Sequence, residues 1–305
     1  MTPQPSTVTN SQIGRILSPS DLSPRSRRVI EMSAQIAARL GAALTACHCV
    51  PAKWFTTENL LPEDELEVIR RGLTDSFEPH RPGDERRWQA AVIQNSFDPA
   101  HDIVALAKEL SAEMIVLNAR PGHWSAFRYG SLVERIVLDA HCPVLLFPAK
   151  YLDARFDDRD TPSFDRILFD FDFSASPGPF FHVANTFAKK FGSDLHMLSV
   201  FEPSAGGRIE FTQSRRMVKE AAIERMNDAA SLEIDGSQAI VPAIEWGRHA
   251  ESVIRYSDDH SIDLIFTSLP RPHYYFDKLY SAYLGDLLAA ARCPVMVMTA
   301  KGRAN

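Results

Sequence analysis

Short, almost wholly apolar runs alternate along this chain with longer stretches whose apolar residues recur at helical spacing. Arg15–Ser20 reads as a strand. Ser23 then stands as an N-cap with Pro24 at the first helical position. Val29, Ser33, Ile36, Ala37 and Leu40 share one face of the helix, which Gly41 ends. A second strand is expected at Leu44–Val50. The excursion from Pro51 to Gly83 contains an amphipathic helix over Glu63–Phe77, and Trp88–Ile93 reads as a third strand. Asp98-Pro99 opens a helix that buries Ile103, Val104, Ala107 and Leu110. Met114–Leu117 is a continuous apolar run of the parallel-strand kind. Leu132–Leu138 is a short helix and Pro143–Phe147 the last strand. This alternation specifies an open parallel sheet covered on both faces and wound by right-handed crossovers.

The same plan is then written a second time. Arg15-Ile-Leu-Ser-Pro-Ser-Asp-Leu-Ser returns as Arg166-Ile-Leu-Phe-Asp-Phe-Asp-Phe-Ser, so Asp21 matches Asp172 at an offset of 151 residues (172 − 21). Gly41 and the strand after it match Gly192 and its strand. Ser111–Val116 matches Ser261–Phe266 at an offset of 150 (261 − 111), and Cys142-Pro143-Val144 matches Cys293-Pro294-Val295. So constant an offset indicates duplication. The expected organisation is a disordered tail at 1–11, a first domain at 12–149, an Asp-, Arg- and Pro-rich linker at 150–163 and a second domain at 164–300.

Composition narrows the classes. A net charge of −6 over 305 residues leaves no nucleic-acid footprint. No apolar run approaches the roughly 20 residues of a membrane span. The first ten residues lack the charged and apolar regions of a signal peptide. A cytoplasmic protein is therefore expected, with partners other than nucleic acid or membrane. Of the four cysteines, Cys47 and Cys49 would share one face of a strand. They read either as a metal or redox pair or as two small buried hydrophobes. The second reading is favoured, because no further Cys/His pair stands at zinc spacing.

In the order and spacing of its motifs, seen twice, the chain resembles a tandem universal stress protein. The residues that carry the resemblance are Ile16–Ser23, Gly130-Ser131 and Cys142–Leu145, together with their second copies. It implies an α/β fold of two tandem open five-stranded parallel sheets with helices on both faces, a Rossmann-like fold of the adenine-nucleotide-binding superfold. It also implies that the two domains pair through their last strands, the one chain supplying both partners. A monomer, a homodimer and an unidentified protein partner are all consistent with that arrangement.

Ligands of a doubly wound sheet bind beyond the carboxyl ends of the strands, where strand order reverses. If the first and fourth strands flank that point, the loop with Asp21 or Asp172 meets the loop after Leu117 or Thr267. Nucleotide-binding members of the family carry Gly-x-x-Gly, nine residues and then Gly-Ser or Gly-Thr in the second of these loops. Here Arg120 and Leu117 occupy the two glycine positions before Gly130-Ser131. In the second domain Ser281-Ala282 stand for Gly-Ser, and Arg271 and Ser268 for the glycines, within an aromatic, glycine-free Pro270–Phe276.

The resemblance thus implies a non-catalytic regulatory stress-response protein with degenerate nucleotide loops and no assigned cofactor. The alternative is an ATP or AMP sensor in the first domain, with Asp21 for a ribose or metal-bridged contact and Arg120, Gly130 and Ser131 for phosphate. Asp172, Arg271 and Ser281 are the corresponding second-domain set. A third reading, an adenine-nucleotide-dependent enzyme, lacks any His-x-Gly-His, Ser-Gly-Gly-x-x-Ser or Walker sequence. No catalytic or metal-binding residue is therefore assigned. Ser131 also reads as a helix cap, with Glu134 at capping-box spacing. The Arg25, Arg27 and Arg28 cations are expected to be solvated. Asp170, which shares a strand face with Asp172, is expected to be satisfied by backbone donors rather than a metal. His48 and His196 read as structural histidines. The aromatic group Tyr274, Tyr275, Phe276, Tyr280 and Tyr283 is expected to fill the second pocket.

Overall fold

The computed structural model describes residues 13–52, 60–80, 87–119, 132–154, 162–173, 178–202, 212–231, 240–269 and 277–299. The first half of the chain contributes β1 (Arg15–Pro19), β2 (Ala43–Pro51), β3 (Trp88–Ser96), β4 (Met114–Ala119) and β5 (Val144–Pro148). Its helices are α1 (Pro24–Leu40), α2 (Glu63–Phe77), α3 (Pro99–Glu109) and α4 (Leu132–Asp139), followed by α5 (Ala149–Ala154). The second half repeats the order with β6 (Arg166–Asp170), α6 (Gly178–Phe191), β7 (Asp194–Phe201), α7 (Thr212–Ser231), β8 (Ile240–Trp246), α8 (His249–Asp259), β9 (Leu264–Leu269), α9 (Asp277–Ala290) and β10 (Val295–Thr299).

Helix ends form where the sequence marks them. Ser23 Oγ accepts from the Ser26 N–H at the start of α1, Pro24 follows, and Gly41 closes the helix at φ 72°. That left-handed conformation suits glycine because it has no Cβ to clash with the carbonyl. Asp98 caps α3 through the His101 N–H. Glu63, Asp64 and Glu65 place negative charge at the positive end of α2. The cations in the first turn of α1 are not merely solvated as expected. Arg25 pairs with Asp153 on α5, and the mostly buried Arg28 pairs with Glu31 at 3.0 Å.

All ten strands join one sheet in the order β3-β2-β1-β4-β5-β10-β9-β6-β7-β8. Every pairing is parallel except β5 with β10, where Leu145 lies opposite Met296 in an antiparallel ladder. The last strands of the two halves thus pair within one chain, and two sheet edges that would otherwise invite pairing are consumed. Side-chain alternation sends Ile16, Leu145 and Met296 to one face and Leu17, Leu146, Val295 and Val297 to the other. Each face carries an apolar core that continues across this seam, so burial as well as hydrogen bonding joins the halves.

Two sequence expectations change in detail. The third strand runs on to Ser96 instead of ending at Ile93. The polar stretch assigned to a linker opens with α5, because Tyr151 and Leu152 are buried and the Tyr151 ring lies 5.6 Å from that of Phe147. All four cysteines are free thiols. Cys47 lies in the core face with Leu17 and Ile115, and Cys49 packs against the same face. Burial pushes Cys49 up to about 11 and Cys142 and Cys293 up to about 12, so they are neutral packing groups at physiological pH. Among the described residues no group of three metal-ligating side chains forms, and no helix is long and apolar enough to cross a membrane.

Candidate functional site

Each half has one point where strand order reverses. β1 pairs with β2 on one side and β4 on the other, and β6 likewise sits between β7 and β9. These are the crevices at which the duplicated aspartates were expected, and the two are built differently.

In the first half, Asp21 is exposed just beyond β1. Its Oδ1 accepts from the Ser23 N–H at 3.0 Å and from Ser26 Oγ, so the carboxylate is part of the turn that starts α1. His48 is structural as expected, its Nδ1 bonded to the Ser20 carbonyl at 2.8 Å. Arg120, Gly130 and Ser131 lie outside the described residues.

The second half is the more informative. Asp170 ends β6 almost fully buried, and three side chains from three other elements converge on it. Thr267 Oγ1 on β9 donates to Oδ2 at 2.8 Å, and the Tyr283 hydroxyl on α9 donates to the same oxygen at 2.9 Å. His249 Nε2, at the first residue of α8, lies 2.9 and 3.0 Å from the two carboxylate oxygens. The expectation of backbone donors for Asp170 is therefore corrected. A buried carboxylate at the end of a short strand is held by side chains that only the fold brings together, and they satisfy a charge that would be costly to bury alone. Burial by itself would lower the His249 pKa. The hydrogen bond to Asp170 and the charges of Asp170, Glu202 and Asp172 outweigh it, so the imidazole is raised above its ordinary value. Burial and the Asp170 charge push the Tyr283 phenol far up, leaving it a neutral donor.

A crevice of about 1500 Å³ opens above this network. Its described walls include Phe171, Phe173, Phe201, Glu202, Asp172 and His249. Arg248 offers no side-chain cap to α8 and instead pairs with Glu251 at 2.7 Å. The orphan N–H of His249 is taken by Glu202 Oε1 at 2.7 Å, so a carboxylate occupies the positive end of α8. Tyr283, one of that aromatic group, lines the crevice at this switch point. Arg271, Tyr274, Tyr275 and Phe276 lie outside the described residues, and Tyr280 and Ser281 are placed only as positions on α9. The sequence reading singled out Asp170 and Tyr283 but missed His249 and Thr267 as their partners. The available signal was the repeat itself. At offsets of 151, 150, 150 and 151, Asp170, His249, Thr267 and Tyr283 stand where the first half has Pro19, Pro99, Leu117 and Leu132 (170 − 19, 249 − 99, 267 − 117, 283 − 132).

Against known proteins, residues 12–148 match the model of the universal stress protein family. The first half of this chain is a universal stress protein domain. Over 138 residues the chain is 28% identical to universal stress protein A homolog 1 of Coxiella burnetii, which spans 43% of this chain and 92% of that protein. A universal stress protein from Archaeoglobus fulgidus superposes on the whole chain with a TM-score of 0.68, at 19% identity, over 95% of this chain and 97% of that one. A functionally unknown protein from Pseudomonas aeruginosa does so with a TM-score of 0.60, at 14% identity, over 95% and 93%. A doubled α/β architecture is thus shared along nearly the entire length, and identity at this level speaks for the fold alone.

Proposed function

We propose that this protein is a non-catalytic regulatory stress-response protein, built from domains at 12–149 and 164–300 joined through 150–163, whose second crevice has ceased to take a nucleotide. The observation that carries this reading is the pair of carboxylates at the second switch point. Glu202 sits on the N-terminus of α8, and Asp170 lies below it. Helix N-termini at such crevices attract phosphate; here a polyphosphate would meet like charge instead. A cytoplasmic protein acting through contacts, alone or as a homodimer, fits this picture.

A second reading, an ATP or AMP sensor, attaches to the first crevice. There Asp21 stands exposed at the mouth, and Pro19 and Leu117 take the places of Asp170 and Thr267, so among the described residues no buried carboxylate opposes a phosphate chain. Thermal denaturation with ATP, ADP and AMP at millimolar concentration separates the two. A ligand at 100 times its Kd adds about 2.7 kcal/mol of stability. Absence of any shift supports the contact-only reading. A shift abolished by Asp21→Ala and Ser131→Ala, and kept in Asp172→Ala, establishes the sensor. Hydrolysis of ATP above background, lost on Asp21→Ala, points instead to an adenine-nucleotide-dependent enzyme.

A further inference from the structure

We propose that the second half of this protein is a proton-responsive element, in which His249 and Asp170 form a proton-binding site whose occupancy sets how firmly α8 and α9 are tied to the switch point. The proposal starts from geometry. Asp170 is buried and meets side chains from β9, α8 and α9 at once, so its carboxylate joins three other elements. The Thr267 and Tyr283 hydroxyls are neutral groups within hydrogen-bond distance of Oδ2 and 3.0 Å from one another. Of the three groups touching the carboxylate, His249 alone can change charge near neutral pH. Its side chain is 33% exposed, enough for a proton to reach the ring from the crevice.

The surroundings favour uptake of that proton. Facing or flanking the ring are Asp170 and Asp172 from β6 and its continuation, Glu202 from the end of β7, and Tyr283 from α9, whose ring stands nearly perpendicular to the imidazole at 5.1 Å between centroids. Asp286 of α9 lines the same crevice. On α8 itself the nearest charges are Arg248 and Glu251, which pair with one another at 2.7 Å. The preponderance of carboxylates means that a neutral imidazole leaves Asp170 without the counter-charge in contact with it. A protonated one makes a buried, charge-assisted pair. Because the imidazole is raised above its ordinary 6.5 in the folded chain, the stabilisation is complete below 6.5 and is lost as pH rises through the folded value. The first half has no counterpart, since Pro19 and Pro99 occupy the two positions.

The test is an NMR titration of the ten histidine imidazoles in the full chain, with the His249 signal assigned from His249→Gln. It is read beside hydrogen exchange at the first turn of α8. A His249 midpoint above 6.5, moving downward in Asp170→Asn, is expected. Exchange protection in that turn should be lost across the same pH range in the unsubstituted protein and stay flat in His249→Gln. A His249 midpoint at or below 6.5 in the intact chain overturns the proposal. So does protection that is unchanged through the titration. If Asp170→Asn does not fold, the unsubstituted chain and His249→Gln still decide the matter.

Discussion

The two halves share a strand order, a helix order and both apolar cores, yet their switch points have opposite characters. Around the end of β6 stand Asp170, His249, Thr267 and Tyr283; at the matching positions the first half has Pro19, Pro99, Leu117 and Leu132. At an adjacent pair of positions the charges are exchanged. In the first half Asp98, the cap of α3, pairs with Arg135 on α4, and at the matching positions the second half has Arg248 and Asp286. A further set differs in the same sense. His196, Tyr256 and His260 stack and hydrogen-bond in the second half, the Tyr256 and His260 rings 3.9 Å apart, where the first half has Thr45, Leu106 and Leu110. One backbone plan therefore tolerates either an apolar or a titratable lining at the same places. What it requires is that each buried polar group find its partners within the same shell.

The sharpest way to break this comparison is Asp170→Ala, which strands the Thr267 and Tyr283 hydroxyls and the His249 ring without their acceptor. Chemical denaturation is expected to show a loss of about 3 kcal/mol, the scale for opening a buried charged network. Pro19→Ala at the matching position should cost far less. Equal costs would mean that the network holds nothing.

Tyr283→Phe keeps the ring and removes one donor to a charged acceptor, so about 2 kcal/mol is expected. A much smaller loss would place the stabilisation in the ring rather than the hydroxyl. A third test uses acid. Burial, aided by the neighbouring His260 charge, holds the His196 pKa below its ordinary value. The unfolded chain then takes up the proton first, and this residue destabilises the fold as pH drops below 6.5. His196→Thr, which installs the first-half residue, should flatten part of the acid slope seen in denaturation between pH 7 and pH 5. The smallest effect compares caps. Asp98→Ala should cost about 1 kcal/mol, because it removes both a cap and a surface pair. Arg248→Ala should be nearly neutral, since Glu202 already takes the orphan N–H of α8.

Much of the scaffold was legible before any coordinates. Ser23, Pro24 and Gly41 marked the bounds of α1, and the amphipathic stretch Glu63–Phe77 is α2 residue for residue. These signals are local, because a cap or a helical stripe is settled within a few residues of chain. The site was harder to read. Asp170 was visible as a carboxylate in an apolar strand, but its donors lie 79, 97 and 113 residues away. Nothing in the neighbouring residues singles out His249. Asp21 was legible as the twin of Asp172, and its engagement with the Ser23 N–H and Ser26 Oγ in the turn of α1 was not, since Ser23 was read only as a cap.

The sequence by itself determined the duplication, the alternation of strand and helix and the helix ends, because periodicity and capping are written in neighbouring residues. Tertiary structure alone decided that β10 would lie antiparallel to β5. It also decided that a lone carboxylate on β6 would meet a threonine, a tyrosine and a histidine from three other elements. Those outcomes depend on long-range strand order and on burial. A charge removed from water must be satisfied by whatever the fold places beside it.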